Sequence, residues 1–239
     1  MLDSIKIDKV IFIDIETVSQ KPSFNNLNSD WKKLWERKAS FLAQDEESAE
    51  EIYDRAGIYA EFGKVICISV GLYRETSNGP IFRVKSFYGD NEKDLLIEFI
   101  SMLNKSFSSS DYLLCAHNGK EFDFPFLARR ILVNQLKLPY LLDIAGRKPW
   151  EVQHLDTLQL WKFGDYKHYT SLNLLTHLFN IPSPKNDMDG SDVGRVYWEE
   201  KDLERIVEYC QNDTLAVAQL LLAYKGMPIL TQEQISIAQ

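Results

Sequence analysis

Apolar residues along the chain form short continuous runs and helical stripes. The runs at 10–16 and 112–116 are typical of buried strands. The segments 64–73 and 81–88 flank an Asn-Gly-Pro turn and predict a hairpin. Residues 152–155 predict a further short strand. Amphipathic spacing and helix-start signals predict four helices, at 91–107, 124–135, 171–179 and 198–224.

The order of these elements predicts an α/β fold: a mixed sheet, with an antiparallel hairpin and parallel strands, and helices on both faces. The segment 20–62 interrupts the order. Its Trp and Leu residues recur at near-helical spacing, and it is too short to form a core of its own, so we expect a helical insertion. The whole chain, 1–239, is then a single domain whose tail from residue 226 is expected to be loose.

Composition places the chain among globular proteins. Hydrophobic residues make up 45% and charged residues 26% of the 239, which excludes a disordered or collagen-like chain. No apolar stretch suggests a membrane span or a signal peptide, and the three cysteines are widely spaced, so we expect a cytoplasmic protein. A net charge of −8 argues against binding nucleic acid by bulk charge, but it permits a carboxylate site that holds divalent metals.

Candidate chemistry begins with Asp14 and Glu16 at the end of the first strand. Two residues apart on a strand, their side chains leave the same face and repel each other unless a cation joins them. The same spacing starts at Asp45, Asp90 and Asp202, where we expect solvated helix or loop surfaces. Only the first pair ends an apolar strand.

Two later segments add acids. Asp123 follows Asn118 and Phe122 after the strand 112–116, just ahead of a predicted helix, where alone it is best interpreted as a helix cap. Tyr209 and Asp213 are four residues apart in the last helix, so they share a helix face. Chance alone would produce about one such pair in this length.

Taken in order, the acidic pair, the Asn-x-x-x-Phe-Asp segment and the Tyr-x-x-x-Asp pair resemble the DEDD superfamily of 3′–5′ exonucleases, which have a ribonuclease H-like fold. Tyr209, four residues before Asp213, resembles the DEDDy branch, since the DEDDh branch has a His five residues before and Glu208 stands there. The segment 117–127 looks most like the proofreading exonuclease domain of family-B DNA polymerases, here as a stand-alone relative. The insertion at 20–62 has no counterpart in that pattern.

The resemblance implies two divalent metal ions, Mg²⁺ or Mn²⁺, held by Asp14, Glu16, Asp123 and Asp213. Tyr209 would orient the attacking water, because a phenol with a pKa near 10 is a poor general base. The substrate would be the 3′ end of a single-stranded nucleic acid, and DNA is expected in preference to RNA. Four residues are candidates to contact its terminal nucleotide: Thr17, Asn118, Phe122 and Leu174.

Two other functions stay open at this point. Asp14 and Glu16 faintly resemble the nucleophile motif of haloacid-dehalogenase-like phosphatases, although that family has Asp in place of Glu16 and a later Asp-Asp pair that is missing here. The chain could also be a non-catalytic nucleic-acid-binding module, but such modules usually lack one of the acids. No membrane partner is expected, and the sequence names no replication or repair partner.

Overall fold

A central strand, β1 (Val10–Ser19), organises the sheet in a computed structural model that describes residues 2–44, 47–107, 109, 111–165, 167, 169–182 and 188–238. The strand runs three residues beyond the predicted segment. The strands that follow it along the chain are β2 (Gly63–Thr76), β3 (Gly79–Tyr88), β4 (Leu113–Ala116), β5 (Leu155–Asp156) and β6 (Ile235–Ala238).

The sheet has the strand order β5-β4-β1-β2-β3-β6. β1, β2 and β3 are antiparallel neighbours, whereas β4 and β5 continue from β1 in parallel. A tight turn joins β2 to β3, and Gly79 supplies its positive φ of 101°. The predicted mixed sheet with an antiparallel hairpin is confirmed.

The α-helices of the described residues are, in chain order, α1 (Ser29–Ala39), α2 (Glu92–Ser106), α3 (Asp123–Val133), α4 (Thr157–Lys162), α5 (Leu172–Leu178), α6 (Val193–Arg195) and α7 (Leu203–Tyr224). α2 and α3 pack on one face of the sheet, against Ile11, Ile13 and Ile15. α7 packs on the other face, against Val10 and Phe12. Because side chains of a strand alternate between faces, Asp14 and Glu16 lie on the α7 side.

The last helix begins later than predicted. Val196–Glu200 form a π-helical turn, and Lys201 takes a left-handed conformation with φ 60°. Asp202 then starts α7 as its N-cap by accepting a hydrogen bond from the Arg205 backbone N–H. The apolar pattern of 198–224 continues through this break, so periodicity alone does not reveal it.

The insertion is only partly helical. It contains α1 and a 3₁₀ segment, Tyr53–Ile58, around a small apolar cluster of its own that includes Trp35, Ala39 and Tyr53. The Trp35 indole N–H donates to the Ala49 carbonyl at 2.6 Å. A few aromatic side chains therefore supply a local core that length alone argues against.

The tail from residue 226, expected to be loose, contains an ordered edge strand. β6 pairs in parallel with β3, with Ile235 opposite Phe82. The segment that leads to β6 is bound to α7 through Gln219. The Gln219 side chain donates to the Leu230 carbonyl and accepts from the Leu230 N–H. Within the part of the chain that the structure describes, no helix is long and apolar enough to cross a membrane.

A buried ion pair joins the insertion to the sheet. Glu92, expected to be solvated, is paired with Arg130 at 2.6 Å, and both side chains are more than nine-tenths buried. Glu92 also accepts the Val65 N–H, and Arg130 also donates to the Ala60 carbonyl. The expectation for the Asp90-x-Glu92 pair is therefore wrong at Glu92. Of the other two repeats, Asp202 is the α7 cap, and Asp45 lies outside the described residues.

Candidate active site

The first acidic pair stands where β1 changes register against β2. Glu16 is opposite Cys67 and Thr17 is opposite Val65, so Ile66 is an extra residue on β2. Such a bulge bends the strand and re-aims the side chains beyond it. Asp14 and Glu16 precede the bulge and point together toward α7.

α7 brings the second pair of predicted residues to the same place. The Cys210 thiol donates to the Asp14 carbonyl with Sγ and O 3.3 Å apart, which fixes the helix against the strand. Tyr209 precedes this cysteine, and its hydroxyl donates to the Asp213 carboxylate. The i, i+4 spacing that the sequence suggested therefore produces a direct contact.

Asp123 reaches the cluster from the opposite side of β1. It is the first residue of α3, preceded by Phe122, and it is buried. Its carboxylate accepts a hydrogen bond from the N–H of Ile15, between the two acids of β1. The side chain thus links α3 to β1 in addition to lying at a helix start.

Asp156 supports this arrangement from the start of α4. It caps α4 by accepting the N–H groups of Leu158 and Gln159. The same carboxylate also accepts the N–H groups of Asn118 and Lys120 and so holds the turn that leads to Asp123. This second role joins segments almost forty residues apart, and nothing local in the sequence signals it.

The pKa values of the four predicted carboxylates are all raised. Burial is the largest cause for each, and it raises the pKa values of Asp14 and Glu16 well above their usual range. Asp213 adds repulsion at both, and the pKa of Asp123 rises to about 8 and that of Asp213 to about 6. No lysine or arginine of the described residues is among the causes that act on these four groups.

The donor set fits a hard divalent cation. The Oδ2 atom of Asp14 is buried without a hydrogen-bond partner. Ligand atoms of Asp14, Glu16 and Cys210 all lie within 4.8 Å of one another. Burial raises the pKa of the Cys210 thiol, so the sulfur stays protonated and is a weak ligand at neutral pH. Carboxylate oxygens therefore dominate the site, as Mg²⁺ or Mn²⁺ prefers.

A cleft opens beside Glu16. Its volume is about 600 Å³, and Thr17 and Phe122 line it. The Thr17 hydroxyl donates to the Gly57 carbonyl at 2.8 Å, which attaches the insertion to the rim of the site. Opposite walls come from 54–58 of the insertion and from 190–199 before α7. Sequence reasoning found neither wall, because they lie far apart along the chain.

The other two candidate contacts lie differently. Asn118 is in the turn held by Asp156 and has a positive φ of 61°. Leu174 is on the short helix α5, is 57% exposed and is not among the residues that line the cleft. Thr17 and Phe122 therefore line the cleft beside the acids, whereas Asn118 and Leu174 do not.

Comparison with known families gives a direct match. Residues 58–234 match a family described as a predicted 3′–5′ exonuclease related to the exonuclease domain of PolB. The chain belongs to this exonuclease family. The match includes Asp123, Tyr209 and Asp213, and it begins after Asp14 and Glu16. Membership confirms the predicted resemblance to the polymerase B exonuclease domain, and the mixed sheet agrees with a ribonuclease H-like fold.

Among solved structures, the chain is similar to the family B DNA polymerase from the hyperthermophilic archaeon Pyrobaculum calidifontis. The sequence identity is 17% and the TM-score is 0.49. The similarity covers 90% of this chain and 24% of the polymerase. The chain therefore spans about a quarter of the length of that protein.

The charges of the cluster predict a pH-dependent response to metal. A carboxyl group with a raised pKa in the folded state stabilises the fold while it is protonated, and this contribution falls as the pH rises toward the folded-state pKa. For Asp123 this window extends from its ordinary pKa near 4 to about 8. A divalent cation competes with these protons, so it binds more tightly at high pH.

We expect Mg²⁺ or Mn²⁺, at about a hundred times its Kd, to raise Tm by about 5 °C or more at pH 8 and by much less at pH 5. Differential scanning fluorimetry with and without EDTA measures both shifts, and KCl at matched ionic strength is the control. Equal shifts at the two pH values would mean that the cation binds elsewhere.

Proposed function

We propose that the chain is a 3′–5′ exonuclease that removes nucleotides from the 3′ end of single-stranded nucleic acid, DNA in preference to RNA. The reaction is phosphodiester hydrolysis with two divalent metal ions, Mg²⁺ or Mn²⁺. The observation that carries this proposal is the convergence of four carboxylates with raised pKa values, two of them buried and two half-buried, beside an open cleft.

Asp14, Glu16 and Asp213 would hold one ion, and Asp14 with Asp123 the other. When bound, the ions supply positive charge at the scissile phosphate and make the attacking water more acidic. The protein's own contribution is rigid placement: β1 fixes two acids, the Ile15 N–H holds the third, and the Tyr209 hydroxyl holds the fourth. Fixed groups of this kind lose little orientation freedom when the reaction occurs.

Tyr209 is suited to orient water and unsuited to remove a proton. Burial and the neighbouring acids raise the pKa of its phenol far above neutrality, so the hydroxyl stays protonated. Its hydrogen bond to Asp213 fixes the oxygen next to the cluster. A water that accepts or donates at this oxygen would be held in line with the phosphate.

The cleft favours an unpaired strand end. Its volume of about 600 Å³ is within the range of pockets that enclose small ligands, which suits a terminal nucleotide better than a duplex. Phe122 and Ile58 offer apolar surface to a base. A non-catalytic binding module would not require four acids with raised pKa values beside such a cleft.

The proposed function is tested with 5′-labelled single-stranded DNA, single-stranded RNA and blunt duplex DNA of one sequence. In Mg²⁺ or Mn²⁺ we expect a ladder that shortens from the 3′ end, fastest for single-stranded DNA, and no products in EDTA. Equal rates on the duplex would contradict the substrate class. No cleavage of any of them by folded, metal-bound protein would contradict the activity.

Removal of the Tyr209 hydroxyl separates orientation from metal binding. We expect Tyr209→Phe to lower kcat by about 10²-fold, since the water loses a fixed partner, while the Mg²⁺ concentration for half-maximal rate changes little. Single-turnover rates across a Mg²⁺ titration give both numbers. Tyr224→Phe, on the same helix and away from the acids, is the matched control. Unchanged kinetics in Tyr209→Phe would remove this residue from the mechanism.

A further inference from the structure

A second cavity shares Trp198 with the catalytic cleft. Its volume is about 480 Å³, and its lining includes Lys64, Asp90, Tyr197, Trp198 and Lys201. Trp198 also lines the cleft that contains Glu16. We call this second cavity, with its two lysines, the lysine cavity.

The two ammonium groups of the lysine cavity are gathered around the same ring. Lys64 Nζ and Lys201 Nζ each lie 5.2 Å from the centre of the Trp198 ring. Lys64 Nζ also donates to the Tyr197 hydroxyl at 2.8 Å, which fixes its position. Cation–π contacts and this hydrogen bond hold both positive charges at one place on a chain whose net charge is −8.

The acid that lines the lysine cavity is itself hydrogen-bonded. Asp90 accepts the Tyr197 hydroxyl at 2.6 Å, and its backbone carbonyl accepts from Lys64. Burial and repulsion from Lys201 and Lys21 lower the pKa of Lys64, while Asp90 and Glu92 raise it. An additional anion in the cavity would stabilise the charged form of Lys64.

The ammonium groups provide the hydrogen-bond donors of the lysine cavity. Each lysine carries three donors, and Lys64 directs donors to the Tyr197 hydroxyl and the Asp90 carbonyl. Two cations gathered around one ring match the negative charge of a phosphodiester.

We propose that the lysine cavity is a subsite for the sugar-phosphate backbone of the substrate strand, upstream of the nucleotide in the catalytic cleft. The proposal rests on the proposed function, because the shared Trp198 connects the two cavities. The contact is with phosphate, so it carries no base preference, and it weakens as salt increases. It also gives longer strands an advantage that the acids alone do not provide.

The test compares a ten-nucleotide strand with a 5′-hydroxyl dinucleotide, whose single phosphodiester is the one that is cleaved. For Lys201→Gln we expect the ratio of kcat/KM, ten-nucleotide strand over dinucleotide, to fall about tenfold. The slope of log KM against log salt for the longer strand should become shallower by about one. Lys201→Arg, which keeps the charge, should restore most of the ratio, and the exposed Lys137→Gln is the matched control.

Binding of the same ten-nucleotide strand in EDTA, followed by fluorescence anisotropy, gives a measurement that does not depend on cleavage. Weaker binding by Lys201→Gln than by Lys137→Gln, with equal Tm values, supports the subsite. If the wild type cleaves both substrates and neither ratio nor affinity moves in Lys201→Gln, the lysine cavity is not a subsite and the exonuclease proposal stands. A wild type that binds the strand through Lys201 but cleaves nothing contradicts the exonuclease proposal alone.

Discussion

An Asp14→Asn variant is expected to lose cleavage and to unfold at a higher temperature than the unmodified chain in the absence of metal. Asn cannot replace a carboxylate at the centre of the cluster, and loss of several kcal/mol of charge stabilisation lowers the rate by about 10³-fold or more. The same change removes a buried negative charge that Glu16 and Asp213 repel. We therefore expect a stability gain of about 1 kcal/mol or more, which raises Tm by about 2–4 °C.

Digestion of a labelled strand and thermal unfolding in EDTA measure the two effects. Asp143→Asn is the control, since Asp143 is exposed and removed from the cluster. Turnover like that of the wild type in Asp14→Asn would contradict the site. An inactive variant that is also less stable would mean that Asp14 serves mainly to hold the fold.

Replacement of Arg130 by Met is expected to destabilise the chain by about 3–5 kcal/mol, or roughly 10 °C in Tm. The substitution leaves the Glu92 carboxylate buried without its partner and removes the donor to the Ala60 carbonyl. Because Ala60 ends the insertion just before β2, we also expect faster proteolysis of the insertion.

Arg129→Met is the matched control, since the neighbouring arginine is exposed and should change stability by less than about 0.5 kcal/mol. Adding Glu92→Gln to Arg130→Met removes the unpaired charge and keeps an acceptor for the Val65 N–H, so about half of the loss should return. Chemical denaturation gives the free energies. Equal effects of the Arg129 and Arg130 substitutions would contradict a role for this ion pair in stability.

The parts of the fold that the sequence predicts are those with local signals. Apolar runs located β1 and β4, the Asn-Gly-Pro turn located the β2–β3 hairpin, and helical spacing located α2. Asp14 and Glu16 could be predicted as a pair because strand geometry alone puts them on one face. Tyr209 and Asp213 followed from helix geometry in the same way.

Contacts between segments that are distant along the chain could not be predicted from the sequence. Glu92 and Arg130 each look like an exposed charge on an amphipathic helix, and only packing of α2 against α3 shows that they meet. β6 was missed because its partner β3 lies about 150 residues earlier along the chain. The start of α7 was missed because the π-helical turn before it continues the same apolar pattern.

In the candidate site, too, some residues could be predicted from the sequence and others could not. Family resemblance pointed to the acids, and the structure brings them together at one end of β1. The cleft walls and Trp198 depend on the insertion and on the segment before α7, which meet only after folding. Substrate-contacting surfaces are therefore the least predictable part of the site, and Leu174, chosen from resemblance alone, is not among the cleft residues.

The most direct test of the central claim is the first product released from a single strand that carries a radioactive phosphate between its last two nucleotides. If the acids cleave at the 3′ end, labelled mononucleotide is the first product in Mg²⁺ or Mn²⁺, and it is absent in EDTA and in Asp213→Asn. Labelled fragments of several nucleotides would show internal cleavage. Label that stays on a strand shortening from its 5′ end would show the opposite polarity, and either outcome would contradict a 3′–5′ exonuclease.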